Sequence, residues 1–168
     1  MLGMGMKLNS LNDLFVHELK DTYDAEHQII DAMPKMIDAA SSQEVKDKFS
    51  HHLDVTRTQV ARLDEVFDML DMDAEREHCD GMAGIIKDGQ KMVTADGDPN
   101  VKDAGLIGAA QKVEHYEIAA YGTLRTFANT LEMPDIADKL QTTLEEESRS
   151  DKTLSRIAER GINRQAAA

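Results

Sequence analysis

The chain has 168 residues, the length of one ordinary domain, and its single cysteine, Cys79, excludes an intrachain disulfide or a thiolate zinc site built within one chain. Asp and Glu number 32 against 19 Lys and Arg, and the resulting net charge of -13 creates a surface field that repels phosphate backbones, which argues against nucleic acid as a partner. Aromatic residues make up 4% and tryptophan is absent, so the composition favours helices over strands.

The first ten residues lack the apolar stretch of a signal peptide, and no later run approaches the ~20 apolar residues of a membrane span. With one cysteine, a reducing compartment fits best, so the expectation is a cytoplasmic protein with no membrane partner.

From Leu11, the residues Phe15, Leu19, Ile29, Ile30, Met33 and Ile37 recur at spacings of three and four, the signature of one buried helical stripe. This predicts a helix over about 10–40, capped by Ser10 with Asp13 and bent where Pro34 removes a backbone bond. Ser41 followed by Glu44 reads as a capping box for a second helix over about 42–71, carried by Phe49, Leu53, Val60, Leu63 and Phe67. The short Ser41–Ser42 connection makes the two helices an antiparallel hairpin.

A less regular stretch follows, with Gly81, Gly84 and Gly89 among Met82, Ile85, Ile86, Met92 and Val93. It predicts a crossover containing a short helix over about 79–95, which lets the next helix begin at the far end of the bundle. Asp98 before Pro99 is a cap followed by a first-turn proline, and Ile107, Ala110, Tyr121, Leu124, Ala128 and Leu131 define a helix over about 99–131. Pro134 opens the last helix, about 134–160, with Leu140, Leu144, Leu154 and Ala158 in register and Gly161 as its expected stop. The fold class is therefore all-α, a ferritin-like four-helix bundle with a long crossover, in a single domain over 1–168.

Several polar residues fall on the apolar stripes. Glu26 lies beside Ile29 and Ile30; His52 is three residues after Phe49; Glu114 and Glu117 align with Ala110 and Tyr121; Glu147 and Asp151 occupy successive turns between Leu144 and Leu154. Each buried carboxylate costs several kcal/mol unless a proton or cation neutralises it. Any one of these residues alone is ordinarily a satisfied polar group near a bundle end. Acids on the stripes of three helices with a histidine on the fourth point instead to a metal pair held by Glu26, His52, Glu114, Glu117, Glu147 and Asp151.

Carboxylates with an imidazole suit iron or manganese, zinc could compete, and the lack of thiolates disfavours copper(I). Asp151, Thr56 and Gln59 carry less weight, since each could instead hydrogen-bond a ligand and orient it. Asp24 and His27 rotate to the solvent side, as do His51 and His115, while Glu75 and His78 lie in a solvated turn. Tyr121 reads as a core tyrosine one turn from Glu117, and the methionines as core filler.

The run Lys112-Val113-Glu114-His115-Tyr116-Glu117-Ile118-Ala119-Ala120-Tyr121-Gly122-Thr123-Leu124 resembles the ferritin-like bacterial stress proteins of the YciF and YciE family. The resemblance extends through Asp21-Thr22-Tyr23-Asp24-Ala25-Glu26, His52-Leu53 with Thr56, and Leu144-Glu145-Glu146-Glu147, covering roughly Leu8 to Ile162. It implies a bundle that is often a homodimer, linked to stress responses, with a di-iron-type centre. Two departures stand out: Asp54 replaces a Glu common in relatives, and the inward Glu-x-x-His pairs usual in di-iron carboxylate proteins are missing.

Two functions follow as expectations. One is a redox-active bundle whose metals meet dioxygen or peroxide, serving peroxide or iron detoxification. The other is a non-catalytic dimer that binds a partner protein, its inward acids protonated or paired with buried Lys or Arg. No conspicuous inward basic residue supports the second, and a storage cage ranks below both.

Overall fold

The computed structural model describes residues 7–168, all helix and connecting loop. Four long helices carry the fold: α1 (Leu11–Ala39), α2 (Gln43–Met69), α4 (Pro99–Thr130) and α5 (Pro134–Ile157), with α3 (Asp80–Val93) in the connection between α2 and α4. Ser10 starts α1 by accepting from the Asp13 N–H at 3.0 Å, while the Asp13 carboxylate accepts from Asn9 N–H at 2.9 Å. Asp98 caps α4 through the N–H groups of Asn100 and Val101, with Pro99 at the first helical position. The helix α1 runs unbroken through Pro34.

Contacts along the helices fix their directions. Asp103, at the start of α4, reaches the α1–α2 turn; Tyr121 meets Glu26; Lys48 meets Ser150 and Arg62 meets Glu146. Adjacent helices are thus antiparallel, in the order α1, α2, α5, α4 around the bundle, and the crossover lets α4 run parallel to the diagonal α2. The segment before α3 is fastened to α1 by Asp24, which accepts from Arg76 Nε and Cys79 N–H at 2.8 Å and from Gln28 Nε2 at 2.6 Å.

Two helix ends depart from the sequence reading. Ser41 does not cap α2: the first residue before the helix is Ser42, its side chain makes no cap bond, and the Asp103 carboxylate accepts both Ser41 N–H (2.8 Å) and Ser42 N–H (2.7 Å). A long-range acid does the work that the local capping box was expected to do. Asp103 is buried, so Asp103→Ala leaves both N–H groups without their acceptor and is expected to lower unfolding stability by about 2–4 kcal/mol, read by urea denaturation. Gly161 does not stop the last helix either. The chain passes through a π-helical turn (Ala158–Ile162) into a short helix, α6 (Asn163–Ala166), and Ile157, Ala158 and Ile162 pack into the core, which holds the chain helical past the glycine.

The α2 and α4 C-termini end alike. Asp71 (φ 54°) and Glu132 (φ 59°) take the left-handed conformation, and the following residues, Met72 and Met133, donate back to Phe67 and Ala128 carbonyls at 3.1 and 2.9 Å. Neither turn is glycine, so a modest strain is held by the hydrophobic residue that follows.

The interior is not one continuous apolar core. One cluster includes Ile29, Met33, Phe49, Ile107, Val113 and Leu154; the other includes Phe15, Leu19, Leu63, Phe67, Tyr121, Leu124 and Leu140. On each long helix the two clusters are separated by buried polar residues: Glu26 on α1, Thr56 and Gln59 on α2, Glu114 and Glu117 on α4, Thr143 and Glu147 on α5. The helical stripe stays in register across this gap, so it is a polar layer through the bundle.

Candidate metal centre

The layer draws one or more acids from α1, α4 and α5, and an imidazole from α2. Glu147 has 0% exposure, Glu26, Glu114 and Glu117 have 1%, and His52 has 4%. His52, Glu114, Glu117 and Glu147 converge so that one potential ligand atom from each lies within 4.8 Å of the others. Histidine Nδ1 is 3.4 Å from Glu114 Oε1, and its Nε2 is 3.9 Å from Glu117 Oε2. Glu26 borders this group on the α1 side, where the charge of Glu147 acts on it and its own charge acts on Glu117.

Neutral hydrogen bonds orient three of the acids. Ser150 donates to Glu114 Oε1 at 2.6 Å, Gln59 Nε2 donates to Glu147 Oε1, and Tyr121 donates its hydroxyl to Glu26 Oε1. Thr56 turns its hydroxyl back to the His52 carbonyl at 2.9 Å, satisfying itself within α2. Each of these contacts takes one oxygen of an acid and leaves the other. Glu26 Oε2, Glu114 Oε2, Glu147 Oε2, both oxygens of Glu117 and His52 Nε2 are buried without a hydrogen-bond partner.

Such a cluster cannot be fully ionised in a dry interior. Burial, then repulsion from Glu147, pushes the Glu26 carboxyl up to about 8; burial and the contact with Glu147 push Glu114 up to about 10; Glu117 rises well above the ordinary carboxylate range for the same two reasons, burial first. Burial drives His52 down to about 4, so its ring is neutral near pH 7 and has a lone pair to give. Tyr121 is likewise pushed up by burial and by Glu26, so it stays a protonated donor.

The bare atoms decide what the layer fits. Buried polar atoms are normally satisfied, and here all the unsatisfied ones among the described residues except Arg125 Nε belong to the layer, where each is an acceptor or capable of being one. Protons alone would neutralise the acids but would leave most of these lone pairs unused. Divalent cations would use the lone pairs and supply the charge, and a carboxylate-imidazole set matches iron, manganese or zinc.

Three other sequence expectations are corrected. Asp151 does not enter the group: on α5 it sits half-buried at the α4 edge, where Gln111 Nε2 donates to it at 3.0 Å and His115 Nε2 lies 3.3 Å away. One turn beyond Glu147, the stripe has rotated far enough to face α4 rather than the bundle axis. Asp24 does not face solvent, being 4% exposed; burial pushes its pKa up, but bonds from Cys79 N–H, Gln28 and Arg76 outweigh that and hold it low.

The third is the expected absence of an inward base. Lys48 is only half-exposed, donates to Ser150 and lies near enough to Glu114 to act on its charge; burial lowers its own pKa. Arg62 grips Glu146 with both guanidinium nitrogens at 2.9 and 3.0 Å, just outside the layer. His51 and His115 are exposed, as expected from their helix faces, as are Glu75 and His78 in the turn beyond α2; Asp54 is exposed too.

Residues 10–167 match the family described as Domain of unknown function (DUF892). Protein YciF of Escherichia coli (strain K12) is 39% identical over 162 residues, covering 96% of this chain and 98% of YciF. The crystal structure of that E. coli stress protein superposes with a TM-score of 0.89, covering 93% of this chain and 99% of the other. YcfI from Rhodopseudomonas palustris is 37% identical with a TM-score of 0.86, covering 92% and 98%. A protein from Xanthomonas campestris, 19% identical with a TM-score of 0.75 over 94% and 97%, shares the fold.

Proposed function

The chain belongs to the DUF892 family of YciF-like proteins, and from that premise we propose that its buried polar layer is a ferritin-like two-metal centre, iron first and manganese or zinc as competitors, acting on dioxygen or peroxide during stress. The observation that carries this reading is the concentration of bare acceptor atoms on His52 and four acids, with Gln59 Oε1 beside them, in the middle of the bundle. Two divalent ions would carry four positive charges, which balances the carboxylates of Glu26, Glu114, Glu117 and Glu147.

His52 would give the nitrogen donor. Glu117, with neither oxygen engaged, would offer both to the metal; Ser150, Gln59 and Tyr121 hold Glu114, Glu147 and Glu26 by one oxygen each and leave the other free. Metal bound there would supply Lewis acidity and electrons to a small oxidant. The apolar clusters on both sides exclude bulk water, which strengthens every charge interaction in the layer. A role in peroxide or iron detoxification follows from that chemistry. We place the protein in the cytoplasm as a homodimer; among the described residues no helix is long and apolar enough to cross a membrane.

Metal analysis after anaerobic loading tests the centre. Wild-type protein should retain iron or manganese through desalting, and Glu26→Ala with Glu114→Ala should lose it while keeping its helical circular dichroism. Equal retention by the two proteins would remove the assignment and leave the non-catalytic, partner-binding dimer with protonated acids as the better reading.

A further inference from the structure

Against the outer side of the layer lies a cavity of about 460 Å³ between α2 and α5, lined by Lys48, His51, His52, Val55, Glu146, Arg149, Ser150 and Thr153. Its mouth is open to solvent, since His51 and Arg149 are exposed, and its floor is formed by His52 and Ser150, which themselves touch Glu114. This cavity reaches the layer at His52. A second void touching His52 and Glu114 measures only about 10 Å³ and is walled by Met33, Phe49, Ala110, Val113 and Leu154.

The charges around the larger cavity run against those of the molecule. The protein carries a net charge of -13, yet the cavity presents Lys48 from the α2 wall and Arg149 from the α5 wall. Its single acid, Glu146, is already held by both nitrogens of Arg62 and by Gln59 at 3.2 Å. Ser150 and Thr153 add hydroxyl groups. A cation diffusing in would meet two like charges before reaching the acids behind them, whereas a small anion is repelled over most of the surface and attracted here.

We propose that the α2–α5 cavity is a binding site for a small inorganic oxyanion and the port through which such an anion approaches the buried centre. Lys48 is its positioning residue: it bridges the cavity to Glu114 through Ser150, which accepts from Lys48 and donates to the carboxylate. The port role rests on the metal-centre reading; the anion site does not.

Inorganic phosphate is the probe. Calorimetric titration of the metal-free full-length protein at low ionic strength should show saturable binding, weakened about tenfold in Lys48→Gln and in Arg149→Gln, and unchanged in Lys139→Gln, whose ammonium pairs with Glu65 elsewhere. Arg149 is exposed, so its variant does not disturb the core. The same Lys48→Gln change should tighten Mn(II) binding about threefold or more, because it removes a like charge from beside the acids. Opposite signs for anion and cation are not produced by a merely structural role.

With Mn(II) loaded, bound phosphate should show strongly enhanced 31P relaxation. Absent phosphate binding, or equal binding by all three variants, overturns the site; phosphate binding without relaxation by bound Mn(II) overturns the port. If no Mn(II) binds at all while phosphate still does, the metal-centre reading and the port fail together and the anion site stands.

Discussion

Glu117→Met is expected to raise the melting temperature of the metal-free protein by roughly 2–12 °C while abolishing its response to metal. Both oxygens of Glu117 are buried without hydrogen-bond partners, and Glu26, Glu114 and Glu147 press their charge on it. Removing an unsatisfied buried polar group of similar length relieves a penalty of about 1–3 kcal/mol. A protein of this size gains roughly 2–4 °C for each kcal/mol. Mutations in a buried core ordinarily destabilise, so the sign is informative. With metal present the order should reverse: a ligand at a thousand times its dissociation constant stabilises wild type by about 4.1 kcal/mol, and the variant receives none of it. Thermal melts of both proteins, with and without Mn(II), read all four states. A variant less stable than wild type in the absence of metal would mean that Glu117 is satisfied by something other than a cation.

Metal-free protein should lose stability as pH rises, most steeply above pH 6.5, by several kcal/mol up to about pH 8. In the unfolded chain a glutamate titrates near 4.5, whereas the folded protein holds the proton of Glu26 to about 8 and that of Glu114 to about 10. Between those values the folded state binds more protons. The stability from this source is therefore complete below pH 4.5 and drains away as pH climbs through the folded values. The histidine acts in the opposite sense over a lower window. His52 is held near 4 when folded against 6.5 when unfolded, so its contribution is present above pH 6.5 and is lost as pH falls toward 4. The acids dominate because several share one volume and only one imidazole opposes them. Cations bound in the layer replace those protons, so the loaded protein should show a flatter profile, and binding near pH 7 should release protons measurable by calorimetry in buffers of different ionisation enthalpy. A metal-free protein whose stability rises steadily from pH 6 to 9 would contradict the buried, crowded carboxylates.

The all-α bundle and its order were legible because spacings of three and four persist along each helix, and because Asp98-Pro99 and Pro134 mark helix starts by local chemistry alone. The polar layer was legible for the same reason: Glu26, Glu114, Glu117 and Glu147 stand in register with apolar neighbours, and a helical wheel shows an acid on the wrong face without knowing its partner. What the wheel cannot show is anything set by the irregular crossover. Asp24 lies off the stripe that faces the other long helices, so it read as solvent-facing; it is buried by the segment around Arg76 and Cys79, which has no periodicity to announce where it packs.

The Asp103 bridge to Ser41 and Ser42 failed to appear for a similar reason, since 61 or 62 residues separate donor and acceptor and the nearer Glu44 offered a local alternative. Lys48 was missed because a long side chain on the margin of a stripe can lay its methylenes on the core and bring its ammonium inward. Asp151 shows the reverse error: spacing from Leu154 placed it on the seam, but the drift of one turn past Glu147 hands it to Gln111 and His115.

Anomalous diffraction from crystals loaded anaerobically with Mn(II), collected at the manganese edge, tests the central claim most directly. Anomalous density should lie within the layer, enclosed by His52, Glu114, Glu117 and Glu147 with Glu26 at its border. Density confined to exposed acids such as Asp54 or Glu75, with the layer empty under saturating metal, would contradict it.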